Sequence, residues 1–117
     1  LYPHMGNTVD GGVAAVCEHL NRPPVACGGD KALAPYIQID APTVMVEAMK
    51  QAEDGDGYIL RVYESSGVAV HAGIRIKGMQ RCVLTDMLED PLMTLPVCGE
   101  AVSLRFEPYE IHTLRFN

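Results

Sequence analysis

Fifteen acidic residues, four histidines and four cysteines carry the capacity for metal or acid–base chemistry in this 117-residue chain. His4, His19, His71 and His112 stand apart, and none forms the H-x-H, H-x-D or H-x-x-x-H arrangement that sets two ligands on one ion. Such spacing predicts surface or packing histidines rather than a zinc centre. Cys17, Cys27, Cys82 and Cys98 contain no C-x-x-C, and each borders an apolar residue (Val16, Ala26, Val83, Val97). Two disulfides are arithmetically allowed, but the chain shows no export signal. The expectation is therefore buried free thiols in a reducing compartment, that is, a cytoplasmic protein.

The densest acidic run is Glu53-Asp54-Gly55-Asp56-Gly57, which has the oxygen ligands a calcium loop needs. Its closing glutamate is missing, because residues 58–63 read Tyr-Ile-Leu-Arg-Val-Tyr. The run reads instead as a solvated turn, with glycine at positive φ and aspartate bonding its own backbone. Glycoside cleavage asks for two facing carboxylates about 5 Å or about 6.5–9.5 Å apart. Glu53, Glu64, Glu89 and Glu110 are too scattered in sequence to identify such a pair, and a Cys–His dyad has no better support. With no tryptophan and 6% aromatic residues, a broad stacking surface for sugars or bases is also disfavoured. Motif by motif, no catalytic and no metal-binding residue is expected here.

Charge and length narrow the partners. Nine basic against fifteen acidic residues leave a net charge of −6, without a basic cluster, so a nucleic-acid partner is not expected. No run approaches the eighteen or so apolar residues of a membrane span. The chain opens Leu1-Tyr2-Pro3-His4 with neither an initiator Met nor a leader pattern, as a piece of something longer would.

These residues are positioned by two regions of different texture. Residues 1–43 hold five of the eight prolines. One helix pattern lies there: Val13, Val16, Cys17 and Leu20 follow i, i+3, i+4, i+7, with Thr8 or Asp10 as N-cap and Asn21-Arg22-Pro23-Pro24 as stop. A lone helix of about ten residues is marginal in water, so it needs a surface to lean on. Residues 44–117 alternate apolar and polar residues in six short runs: 44–49, 58–63, 68–77, 82–85, 102–107 and 109–116. Runs with one apolar face each predict an all-β fold, an antiparallel immunoglobulin-like β-sandwich preceded by one short helix. The domain boundary falls at 43/44, with residues 1–43 as the tail of a preceding β-domain.

The order of the motifs adds a resemblance. Leu1-Tyr2-Pro3-His4, then Glu18-His19-Leu20-Asn21-Arg22-Pro23, resembles a run in the C-terminal half of the family 38 glycoside hydrolases, the α-mannosidases. Val46 to Gly55 followed by Tyr58 to Glu64 is similar to that family's V-x-x-x-K-x-x-E-D-G-x-x-x-I-L-R-x-Y-E segment. Thr85 to Glu89 resembles its T-D-x-L-E turn, and Pro108-Tyr109-Glu110-Ile111-His112-Thr113-Leu114 its closing P-[FY]-E-I-x-T-L strand. The resemblance implies a parent that hydrolyses α-mannosides with retention, using an aspartate nucleophile and zinc or a similar divalent ion. Both belong to an N-terminal catalytic domain with an H-x-D motif, which this chain lacks.

The expectation is thus a non-catalytic C-terminal sandwich. Its partners are the catalytic domain of the same polypeptide and, for the parent, mannose-containing glycans. Lys50, Glu53, Arg61 and Glu64 are the structural or interdomain candidates, with Arg61 paired to Glu53 or Glu64 to hold the second strand in register. An apolar docking patch is expected around Val13, Val16 and Leu20, through which the chain would self-associate. The rival reading is a stand-alone carbohydrate-binding module; an independent small enzyme fits the isolated histidines poorly.

Overall fold

Alternation of period two places Leu60 and Val62 on one side of a strand and Ile59, Arg61 and Tyr63 on the other, and this pattern organises the domain. The computed structural model describes residues 1–30 and 33–117. They form two compact units, 1–34 and 35–117.

In the first unit, helix α1 (Val13–Asn21) forms where the apolar spacing predicts. Its start differs from expectation, since neither Thr8 nor Asp10 caps it. The N-cap is Gly12 at φ 65°, with no side-chain cap. The turn before it is organised instead by Asn7, whose Oδ1 accepts the N–H groups of Val9 and Asp10 at 2.9 Å each. Asn7 thus organises the entry in place of Thr8 or Asp10, and glycine takes the left-handed conformation at least cost. None of the helix residues is buried, and Leu20 is 79% exposed.

The second unit is an antiparallel β-sandwich of eight strands. These are β1 (Ile37–Ile39), β2 (Val44–Gln51), β3 (Tyr58–Glu64), β4 (Val70–Ile76), β5 (Cys82–Thr85), β6 (Pro91–Leu95), β7 (Ala101–Phe106) and β8 (Ile111–Phe116). One sheet runs β1-β4-β7 and the other β2-β3-β8-β5-β6. Their inner faces supply a single core that includes Leu60, Val62, Ile74, Ile76, Phe106 and Leu114. All-β topology and the one short helix are as the sequence predicts.

Two strands escape the alternation reading. β1 is three residues long, too short to show a period. β6 opens on Pro91 and leaves only Leu95 buried; as an edge strand it tolerates a leading proline and needs no apolar face. Because β1 pairs with β4 (Ile37 opposite Ile76, Ile39 opposite Ile74), the compact unit begins at Pro35. Residues 35–43 therefore pack with the sandwich, not with the preceding segment as the proline count suggested.

The thiols also differ from expectation. Cys82 is buried, but Cys17, Cys27 and Cys98 are exposed free cysteines. Cys17 and Cys27 lie in the first unit, none of whose described residues is buried, and Cys98 lies at the turn that bridges to Ala101. An apolar neighbour does not bury a residue where no sheet or helix packs over it.

Candidate functional site

The charged motif residues lie on the five-stranded sheet, and a β-bulge decides which face they take. Strict alternation along β2 would place Lys50 on the core side with Val44 and Val46. The register instead slips between Val46 and Ala48, so Lys50 stands opposite Ile59, and Ala48 opposite Arg61, on the outer face.

Lys50 there meets Glu89, with Nζ 2.7 Å from Oε1, and also the Glu53 carboxylate. The second Glu89 oxygen accepts the Glu53 N–H at 2.9 Å. Glu89 belongs to the loop after β5, so residues 86–90 reach across the outer face toward β2. On the way the Met87 carbonyl accepts a hydrogen bond from Arg61 at 3.4 Å. Asp86 shapes this loop, its Oδ1 accepting the N–H groups of Leu88 (2.8 Å) and Asp90 (2.9 Å). Ile59, flanked in register by Lys50 and Arg115, is only 2% exposed beneath these long side chains although it faces away from the core. The Glu53 and Glu89 hydrogen bonds raise the Lys50 pKa, and Lys50 lowers that of Glu89.

A second clasp closes the far end of β3. Glu64 is 1% exposed, yet carries a carboxylate. Its Oε1 accepts the Ser66 N–H at 2.8 Å and the Ser66 hydroxyl, while Oε2 accepts the N–H groups of Gly67 (2.7 Å) and Tyr109 (3.2 Å). Burial pushes its pKa up, but the four donors outweigh burial and hold it at about 2. The turn needs glycine: Gly67 has φ 76°, and a Cβ there would lie 2.5 Å from the Tyr109 hydroxyl. Tyr109 itself sits at φ 61°, a conformation that its bond to Glu64 helps to hold.

The acidic turn carries a third clasp. Arg115 Nη2 contacts both Asp54 oxygens at 2.5 and 2.6 Å, and Nε donates to the Asp56 carbonyl at 2.9 Å. Asp54 also accepts the Asp56 N–H at 2.9 Å, the self-bonding expected of this turn. Arg115 holds the Asp54 pKa below its usual range.

Of the four candidates, then, Lys50 and Glu53 come together, Glu64 lies at the opposite end of β3, and Arg61 bonds to neither acid. The expected Arg61 pairing with Glu53 or Glu64 is overturned. Arg61 points to the outer face, where Nε donates to Thr113 Oγ1 at 3.4 Å, whereas Glu64 points inward. Arg61 instead lines a hollow of about 330 Å³ with Glu47, Tyr63, Met87 and Ile111. Sequence reasoning missed Glu89 and Ser66 as partners. Glu89 lies 39 residues from Lys50 in the chain, as their numbers show, and nothing local signals that the post-β5 loop crosses the sheet.

Residues 43–114 match the family model described as the glycosyl hydrolases family 38 C-terminal beta sandwich domain. This chain belongs to glycosyl hydrolase family 38. The matched span contains the Lys50–Glu53–Glu89 and Glu64–Ser66–Tyr109 clasps, so the blocks quoted from the sequence meet pairwise in space: the K-x-x-E-D-G block with T-D-x-L-E, and the I-L-R-x-Y-E block with P-Y-E-I. A comparison with curated proteins found no match. The donors of this family 38 domain do not fit the divalent ion its family implies. His19 bonds the Ala15 carbonyl, His112 lies 3.0 Å from the Arg105 carbonyl, and Asp54 is held by a guanidinium. Among the described residues, no three potential ligands cluster.

Proposed function

We propose that this domain is a non-catalytic brace for the catalytic domain of a retaining α-mannosidase. The observation that carries the reading is the state of the family's motif carboxylates. A glycosidase acid needs a raised pKa, so that it holds a proton to deliver to the leaving group. Glu64, Glu89 and Asp54 are all shifted the other way, Glu64 by Ser66 and Gly67 beside it and by Tyr109 across the fold, Glu89 by Lys50 and the Glu53 N–H, and Asp54 by Arg115. Carboxylates held ionised and fully engaged maintain geometry rather than exchange protons. They keep the post-β5 loop on the sheet and the ends of β3 and β8 together. The surface so held includes Arg61, Tyr63, Met87 and Ile111 beside Glu47, a mixed apolar and charged hollow of the kind used between domains.

The metal, the aspartate nucleophile and the mannoside belong, in this reading, to the catalytic domain. Four free cysteines support a cytoplasmic setting for the parent. A chromogenic aryl α-mannoside tests the assignment. This chain, with zinc or cobalt added, is expected to give no turnover. In the full-length enzyme, Met87→Asp is expected to weaken the hold on the catalytic domain, seen as lower thermal stability of activity. Turnover by the chain itself would overturn the proposal.

A further inference from the structure

Arg61 lies half-buried in the hollow on the outer face of the five-stranded sheet, where it is positioned but not neutralised. Its Nε donates to Thr113 Oγ1 and its Nη2 to the Met87 carbonyl, each at 3.4 Å, so both bonds are long and both acceptors are uncharged. Among the described residues no carboxylate forms an ion pair with Arg61, and its Nη1 has no protein partner. The other two cations of this face are paired, Lys50 to Glu89 at 2.7 Å and Arg115 to Asp54 at 2.5 Å. We infer that Arg61 receives the carboxylate of an Asp or Glu side chain of the catalytic domain of the same polypeptide, seated in this hollow beside Met87 and Ile111. Such a contact rests on the bracing role proposed above and names the group through which the catalytic domain is held.

The chemistry of the hollow selects that occupant. A guanidinium partly enclosed by side chains has given up some of its water, and an opposite charge compensates the loss better than a neutral dipole. Its planar fork matches a carboxylate through two parallel N–H···O bonds, here from Nη1 and the second N–H of Nη2. The rim suits a pair that becomes dry. Met87 and Ile111 are 59% and 52% exposed, apolar surface that leaves water only when another body covers it. The guanidinium is also oriented in advance. Thr113 is buried in β8, and the Met87 carbonyl belongs to the loop that Asp86 shapes and Glu89 ties to β2. Little side-chain freedom is therefore left to lose on docking. Glu47 lines the same hollow and is the competing acid, but it is exposed and no ion pair joins it to Arg61.

The experiment uses the full-length enzyme carrying Arg61→Lys, treated with a water-soluble carbodiimide, which joins an amine to a carboxylate in direct contact with it. Peptide mass spectrometry is expected to find position 61 joined to an Asp or Glu of the catalytic domain. A second variant, Arg61→Met, keeps a long apolar stem without the charge. In the full-length enzyme it is expected to speed thermal inactivation about tenfold, because the acid opposite is left unpaired. In the present chain alone it should move the melting temperature by less than about 3 °C. A link from position 61 only to Glu47 or another acid of this domain, no link at all, or an equal effect of Arg61→Met in both proteins overturns the inference. If the link fails while Met87→Asp still lowers the thermal stability of activity, the brace stands and the ionic contact alone is wrong; if Met87→Asp is silent too, the bracing role falls with it.

Discussion

Replacing Glu64 by Gln probes the fold where a buried charge and a strained turn depend on each other. The side chain keeps its shape, but one carboxylate oxygen becomes an NH₂ group. Each Glu64 oxygen accepts two donors, Ser66 N–H and Ser66 hydroxyl on one, Gly67 and Tyr109 N–H on the other. Whichever way the amide turns, a donor pair faces a donor. At 1% exposure no water replaces the lost acceptor. Lowering the carboxyl pKa from 4.5 to about 2 corresponds to about 3 kcal/mol of stabilisation at neutral pH. For a unit of this size, that loss lowers Tm by about 12 °C or more.

The sign of the pH dependence follows. Because the folded pKa is depressed, the stabilisation is present above the unfolded value of 4.5 and disappears as pH falls toward about 2. Thermal and urea unfolding of the native chain and of Glu64→Gln, from pH 7 to pH 2, measure it. The gap between the two is expected to be widest at neutral pH and to shrink through that acid window. A gap below about 1 kcal/mol at pH 7, or one that stays constant down to pH 2, refutes the account of Glu64 as an ionised clasp.

Three further outcomes follow from the same geometry. Glu89→Gln unties the loop that crosses the sheet, so hydrogen exchange at the amides of Glu53, Leu88 and Asp90 should quicken while core amides such as Leu60 stay protected; uniform exchange across the domain would contradict the loop's local anchoring. Gly67→Ala places a Cβ against the Tyr109 ring at a positive φ, and chemical unfolding should show more than about 1 kcal/mol lost. A thiol reagent should label Cys17, Cys27 and Cys98 rapidly in the native chain, but Cys82 only on unfolding, since burial holds that thiol at about 11; rapid labelling of all four would mean that the core is open.

Much of the domain was legible from period and punctuation. Val102, Leu104 and Phe106 alternate with Ser103 and Arg105, and the strand forms with that face inward. The Ser65-Ser66-Gly67 stop and the acidic turn after β2 are where the chain reverses. β1 and β6 were not legible, because three residues show no period and an edge strand needs none. Arg61 meets neither Glu53 nor Glu64, the partners the sequence predicts: alternation sends Arg61 and Glu64 to opposite faces, and Glu53 is engaged by Lys50.

Composition and alternation alone determined an antiparallel sandwich with a short helix before it, because burial of one face per strand is a local property of the residue pattern. Which charges meet was decided only in three dimensions. Lys50 reaches the outer face through a one-residue bulge, and Glu89 reaches Lys50 because a loop crosses the sheet. Glu64 finds Tyr109 because β3 and β8 are neighbours in the same sheet. Contacts between distant residues depend on register and loop path, and no local window of sequence contains either.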